Sequence, residues 1–167
     1  MTWVTPGTPN LPDYTLFVSG VMGIDPLYLP PDSPFLGYAF YRALQLVIDI
    51  PTRPWSWNWP PVPLNGGIEY TLAVYNCAGH IQLVITPDQV VNGTAYDFFK
   101  RQRIDNQLLQ TVVGLPASTS DEGTSVTNAV PDAMRQLTIG DLGFMKTYWG
   151  RSYLEYAQDF GGVWGLS

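Results

Sequence analysis

The sequence predicts a mainly α fold: a helical bundle with a long extended loop or β-hairpin and an extended C-terminal arm. Three observations lead there. Apolar residues recur at three- and four-residue steps over 35–49, and residues 68–85 are apolar on nearly every side. Over 111–130 that period gives way to Ser, Thr and Val around the turn signal Asp121-Glu122-Gly123.

Taken in order, a leader with Pro6, Pro9 and Pro12 precedes Asp13, a candidate cap for a short helix ending near Gly23. Leu16, Phe17 and Val21 are its expected buried side. A Pro-rich connector reaches Ser33, a candidate N-cap, and Pro34, which suits the first position of a helix. In that helix Leu36, Ala39, Phe40, Ala43, Leu44 and Val47 form the apolar stripe. Residues 51–63 hold five prolines and three tryptophans, so an extended or turning surface loop is expected there. The 68–85 helix stops at Pro87. Asn92-Gly93-Thr94 is read as opening a helix to about Leu109, with Tyr96, Phe99, Arg103 and Ile104 on its facing positions. Short strands near 111–114 and 124–127 are expected to pair as a long hairpin or to lie on a neighbour's sheet. A short helix over 131–137 and another over 139–146, started by Thr138 and Asp141, follow. Thr147 is the expected cap of a last helix from Tyr148 to about Phe160. One connector domain, 1–147, and a C-terminal helix and arm, 148–167, result.

Composition sets limits on function. The chain is 13% charged and 14% aromatic, whereas typical domains are about one quarter charged. Interface centres show the same depletion of charge and enrichment in rings, so contact with other chains is expected to replace part of the missing polar surface. A net charge of −6 argues against a protein whose main task is gripping phosphates. Cys77 is the only cysteine, which excludes an intrachain disulfide. No signal segment or bilayer-length apolar run is read, so a soluble protein assembled in the cytoplasm is expected, without a membrane partner.

Catalytic constellations are sparse. Cys77 and His80, three apart on one helix, are the sharpest nucleophile and base pair available; two packed core positions are the favoured reading. Asp121 and Glu122 suit a solvated hairpin tip with Gly123 better than a cation or acid–base site. Lys100, Arg101 and Arg103 form a basic cluster that meets solvent, a protein neighbour or passing DNA. Trp55, Trp57 and Trp59 alternate, so in an extended chain their rings share a side. Such a row covers its own core, anchors in a protein partner or stacks on sugar rings. No enzyme activity, cofactor or metal is expected.

Four runs carry a family resemblance: Ser118-Thr119-Ser120-Asp121-Glu122-Gly123-Thr124-Ser125, Leu137-Thr138-Ile139-Gly140-Asp141-Leu142, Lys146-Thr147-Tyr148-Trp149-Gly150-Arg151-Ser152-Tyr153-Leu154, and Trp164-Gly165-Leu166-Ser167. They resemble tailed-bacteriophage virion proteins, and the helix-rich order is most similar to head-to-tail connectors, or adaptors, of the phage neck. The resemblance implies a homo-oligomeric ring, commonly dodecameric, that joins the capsid portal to the tail and lines the channel for double-stranded DNA without binding it specifically. It implies a place in the virion, a reaching hairpin over 111–130, and a docking arm over 148–167. Interface candidates are then Tyr148, Trp149, Arg151, Tyr153, Tyr156, Phe160, Trp164 and Leu166, beside the Trp row. The Trp-Pro stretch at 51–63 has no counterpart in that pattern. Alternatives are a collar, gateway or tail-completion ring of the same neck, and a carbohydrate-binding module built on Trp55, Trp57 and Trp59.

Overall fold

A computed structural model describes residues 7–47, 67–91, 94–109, 118–121, 124–127 and 139–159. Most of these residues are helical. Helix α1 is Leu11–Gly20, α2 Pro34–Leu46 and α3 Ile68–Ile85; the strands β1, Gln89–Val91, and β2, Thr94–Tyr96, precede α4, Phe98–Asp105. The strands β3, Ser118–Asp121, and β4, Thr124–Thr127, are followed by α5, Ile139–Phe144, and α6, Tyr148–Asp159.

Helix α1 starts earlier than Asp13, because Asn10 is its cap. The Asn10 side-chain oxygen accepts from the Asp13 amide at 2.9 Å, while its NH2 donates to the Asp13 carboxylate at 2.6 Å. Asp13 therefore occupies the third helical position of a reciprocal capping arrangement. Pro12 falls in the first turn, where its missing N–H has no helical acceptor to lose. The earlier start selects Tyr14, Phe17 and Val18 as the buried face, and Leu16 and Val21, expected inside, are exposed.

Helix α2 begins at Pro34 as expected, with extended Ser33 before it but no side-chain cap bond. Leu36, Ala39, Phe40 and Ala43 are buried on one stripe, and Val47 is buried just past the end. Leu44 is only partly so.

Helix α3 has the expected bounds. Thr71, Ala73, Val74, Tyr75, Cys77, Ala78, His80, Gln82 and Leu83 are buried, which covers almost the whole circumference. It is the central helix: α2 and α6 pack along it most extensively, and α4 and α1 add to the cover. Gly79 permits part of this closeness, since an added Cβ would lie 3.1 Å from the Met22 sulfur and 3.5 Å from the Trp149 ring. Thr86 is extended ahead of Pro87, as the residue before a proline prefers.

The helix read over 94–109 is corrected at its start. Thr94 to Tyr96 pair antiparallel with Gln89 to Val91, Val91 opposite Thr94, and the helix begins only at Phe98. Two residues, Asn and Gly, separate the strands, and that dipeptide favours a two-residue hairpin connection over a helix start. Helix α4 borrows its cap from Asp88, whose carboxylate accepts from the Lys100 amide at 3.0 Å. Its C-terminus closes with Gln107 at φ 53, the Gln107 amide on Ile104 O and the Leu108 amide on Arg103 O. Those two bonds form a Schellman motif with Gln where Gly is usual.

Strands β3 and β4 pair antiparallel from Ser118 with Thr127 to Asp121 with Thr124. The first strand thus lies later than the 111–114 expected for it. The helix expected over 131–137, the Thr138 cap, and Gly161-Gly162 fall outside the described residues. Thr147 does cap α6: its hydroxyl accepts from the Gly150 amide at 2.9 Å.

Aromatic rings fill the centre. Tyr14, Phe17, Phe40, Tyr75 and Trp149, from four helices, lie with neighbouring centroids 5.5–6.4 Å apart, and such pairs contribute about 0.5–1.5 kcal/mol each beyond burial. The Tyr75 hydroxyl, accepting from Asn10 N at 3.2 Å and donating to Asn10 O at 3.1 Å, ties the start of α1 to the middle of α3. A smaller set, Tyr28 stacked on Phe98 at 5.0 Å with Tyr96 edge-on, fixes the Pro-rich connector against α4.

Candidate assembly surface

The candidate residues divide into those that face the core and those left outside. On α6, Leu154 is buried, and Trp149, Tyr153 and Tyr156 pack against the core cluster. Trp149 meets Phe17 edge-on at 5.5 Å, and Tyr153 meets Phe144 at 5.0 Å. These three rings, expected to serve a neighbour, bury apolar surface within their own chain, and α6 is a wall of the bundle. Tyr148 is 63% exposed; Arg151 is exposed and donates to Met145 O at 3.1 Å. Phe160, Trp164 and Leu166 lie outside the described residues, as do Trp55, Trp57 and Trp59.

Close approach of α6 to α5 depends on Gly150. A Cβ there would lie 2.7 Å from the Phe144 carbonyl carbon and 2.9 Å from its Cα, and closer still to its oxygen. Real Cβ atoms do not approach backbone so nearly, so any larger residue would part the two helices.

The thiol and imidazole are not brought together as a hydrogen-bonded pair. His80 Nδ1 lies 2.8 Å from Thr147 Oγ1, and its ring sits 4.4 Å from that of Phe144. Burial lowers the His80 pKa to about 4 and pushes the Cys77 thiol up to about 12, despite a small opposing pull from Arg42. Near neutral pH both are uncharged, so Cys77 lacks the thiolate character that a nucleophile requires. Among the described residues no group of three or more His, Cys, Asp or Glu side chains is placed to hold a metal ion.

The basic cluster is likewise split. Arg103 turns back on the chain, donating to Thr86 O at 2.6 Å and pairing with Asp88 at 3.3 Å. Lys100 and Arg101 remain exposed. Asp121 ends β3 opposite Thr124; Glu122 and Gly123 lie outside the described residues.

The α2 surface escaped sequence reasoning. Tyr38 and Tyr41 are 59% and 56% exposed, on the side opposite the Leu36, Ala39, Phe40 and Ala43 stripe, beside Arg42 and Gln45. The signal was present: two aromatic residues off the apolar period of an amphipathic helix. Ile68, Leu27, Ile104 and Leu109 are further exposed apolar side chains. The β3–β4 hairpin makes no substantial contact with any described helix. Among the described residues no helix is long and apolar enough to cross a membrane. No protein-family model, curated protein or solved structure matches the chain.

Proposed function

We propose that the chain is a structural protein of the tailed-phage neck, a ring-forming connector that joins the capsid portal to the tail around the DNA channel. The resemblance in the runs from Ser118 onward supplies the family. One structural observation bears most on the reading: among the described residues no helix packs substantially on the β3–β4 hairpin, and an isolated two-stranded hairpin is marginal in water. Such an element suits a site on a sister copy. The exposed tyrosines of α2 and Tyr148 on α6 offer rings of the kind enriched at interface centres. A subunit charge of −6, repeated around a ring, would repel phosphates mildly and let a genome pass without adhering. If the hairpins of neighbouring copies close into a barrel, a collar, gateway or tail-completion ring of the same neck becomes the better description.

The all-round apolar character of α3 does not add to this reading, because α1, α2, α4 and α6 cover it within one chain. Removing residues 160–167 tests the docking arm without stripping α6 from the bundle. The shortened chain is expected to keep its helical circular dichroism and to be missing from assembled particles. Normal incorporation would refute the arm's role.

A further inference from the structure

We propose that His80 and Thr147 form an acid-sensitive latch that holds the α5–α6 pair on the bundle and opens on protonation of the imidazole. This goes beyond the neck reading and does not rest on it. The geometry gives one residue two tasks. Thr147 Oγ1 caps α6 by accepting from the Gly150 amide at 2.9 Å and meets His80 Nδ1 at 2.8 Å. With its oxygen engaged by Gly150, the hydroxyl has its proton free to donate to a neutral Nδ1. A proton on Nδ1 removes that acceptor, so the contact persists only if the hydroxyl proton turns away and Nδ1–H donates to the second lone pair of Oγ1; either way a charge is left beside the Phe144 ring at a residue only 7% exposed.

The surrounding charges do little to accommodate an imidazolium. On α3 itself Cys77 is one turn away and feels Arg42 of α2; Tyr14 of α1 is buried, and Arg103 of α4 is turned to Thr86 O and paired with Asp88. On the α5–α6 side stand Lys146, which donates to Gln107 O at 2.7 Å, Arg151, Tyr153 and outward-facing Glu155. Among the described residues no carboxylate offsets the desolvation that displaces the His80 titration. The direction of the pH effect follows. The free imidazole titrates near 6.5 and the buried one at about 4. Between those values an opened or unfolded chain binds a proton that the closed chain refuses. Stability of the closed form is therefore complete above 6.5, falls as pH drops through that window, and levels off below about 4.

Opening at α5–α6 hydrates His80, at the cost of the contact between Trp149 and Phe17. It separates Thr147 and Phe144 from the ring, while Tyr14, Phe17, Phe40 and Tyr75 stay packed among α1, α2 and α3.

The full chain holds a single histidine, so its imidazole NMR signal can be followed from pH 7.5 to 4 without assignment ambiguity, together with amide protection at Gly150 and Arg151 in α6 and at Ala43 and Leu44 in α2. The α6 protection factors should fall by up to about tenfold per pH unit below 6.5 while those of α2 fall less. His80→Gln should flatten the α6 response. The latch is refuted if the imidazole titrates at its free value with α6 still protected, if α2 and α6 lose protection in parallel, or if His80→Gln responds to acid as the parent does; should that variant fail to fold, the parent's titration alone decides.

Discussion

Replacing Gly150 by alanine sets two opposed effects against each other. Alanine is the better helix former by up to about 1 kcal/mol, and Gly150 lies in the first turn of α6. The structure predicts that packing wins. The added methyl would meet the Phe144 carbonyl carbon at 2.7 Å and its Cα at 2.9 Å, with the carbonyl oxygen nearer still. All three are backbone atoms that cannot rotate away. Overpacking of this kind costs about 1–3 kcal/mol, so the net loss should be about 1–2 kcal/mol. At this chain length each kcal/mol is worth roughly 3 °C in Tm. Gly37→Ala in α2 is the matched control, since its methyl would find only the Tyr41 ring at 3.9 Å; it should raise stability by up to about 1 kcal/mol. Urea titration followed by far-ultraviolet circular dichroism reads both. A Gly150→Ala chain as stable as the parent would show that α5 and α6 do not approach as described.

Two further predictions concern single contacts. Tyr75→Phe removes the hydroxyl that bridges Asn10 N and Asn10 O, and should lower global stability by about 1–2 kcal/mol, with the earliest loss of amide protection at the start of α1. Gln107→Gly relieves a left-handed residue at the end of α4 and should raise the urea midpoint, by about 0.5–1 kcal/mol of stability; a lower midpoint would mean that the Gln107 side chain contributes more than its backbone conformation costs.

Much of the helical frame was legible because its signals were local. The bounds of α3 follow from a stretch apolar on nearly every side that ends before Pro87, and Pro34 marks α2 through its fixed φ. Thr147 was readable as a cap. The misreadings arose where one residue type serves two structures. Asn-Gly before Thr94 suits a hairpin as well as a helix boundary, and the β1–β2 register, set by Val91 opposite Thr94, resolved it. Asp13 looked like a cap, yet Asn10 three residues earlier completes the reciprocal pair, and that shift turned Leu16 outward and Tyr14 inward. The aromatic surplus was read as surface for partners. Of the rings expected to serve a neighbour, Trp149, Tyr153 and Tyr156 pack against the core instead, because tertiary packing, invisible to periodicity, decides which ring meets which. The His80 to Thr147 contact spans 67 residues and left no trace in local sequence.

Averaged electron cryomicroscopy of the intact particle, with density resolved tier by tier between capsid and tail, tests the account most directly. A rotationally repeated ring whose subunits accept the α1–α6 bundle, with each β3–β4 hairpin against the adjoining copy, is the expected result. A neck fully occupied by other chains, with this protein absent from purified particles and monomeric in solution, would contradict it.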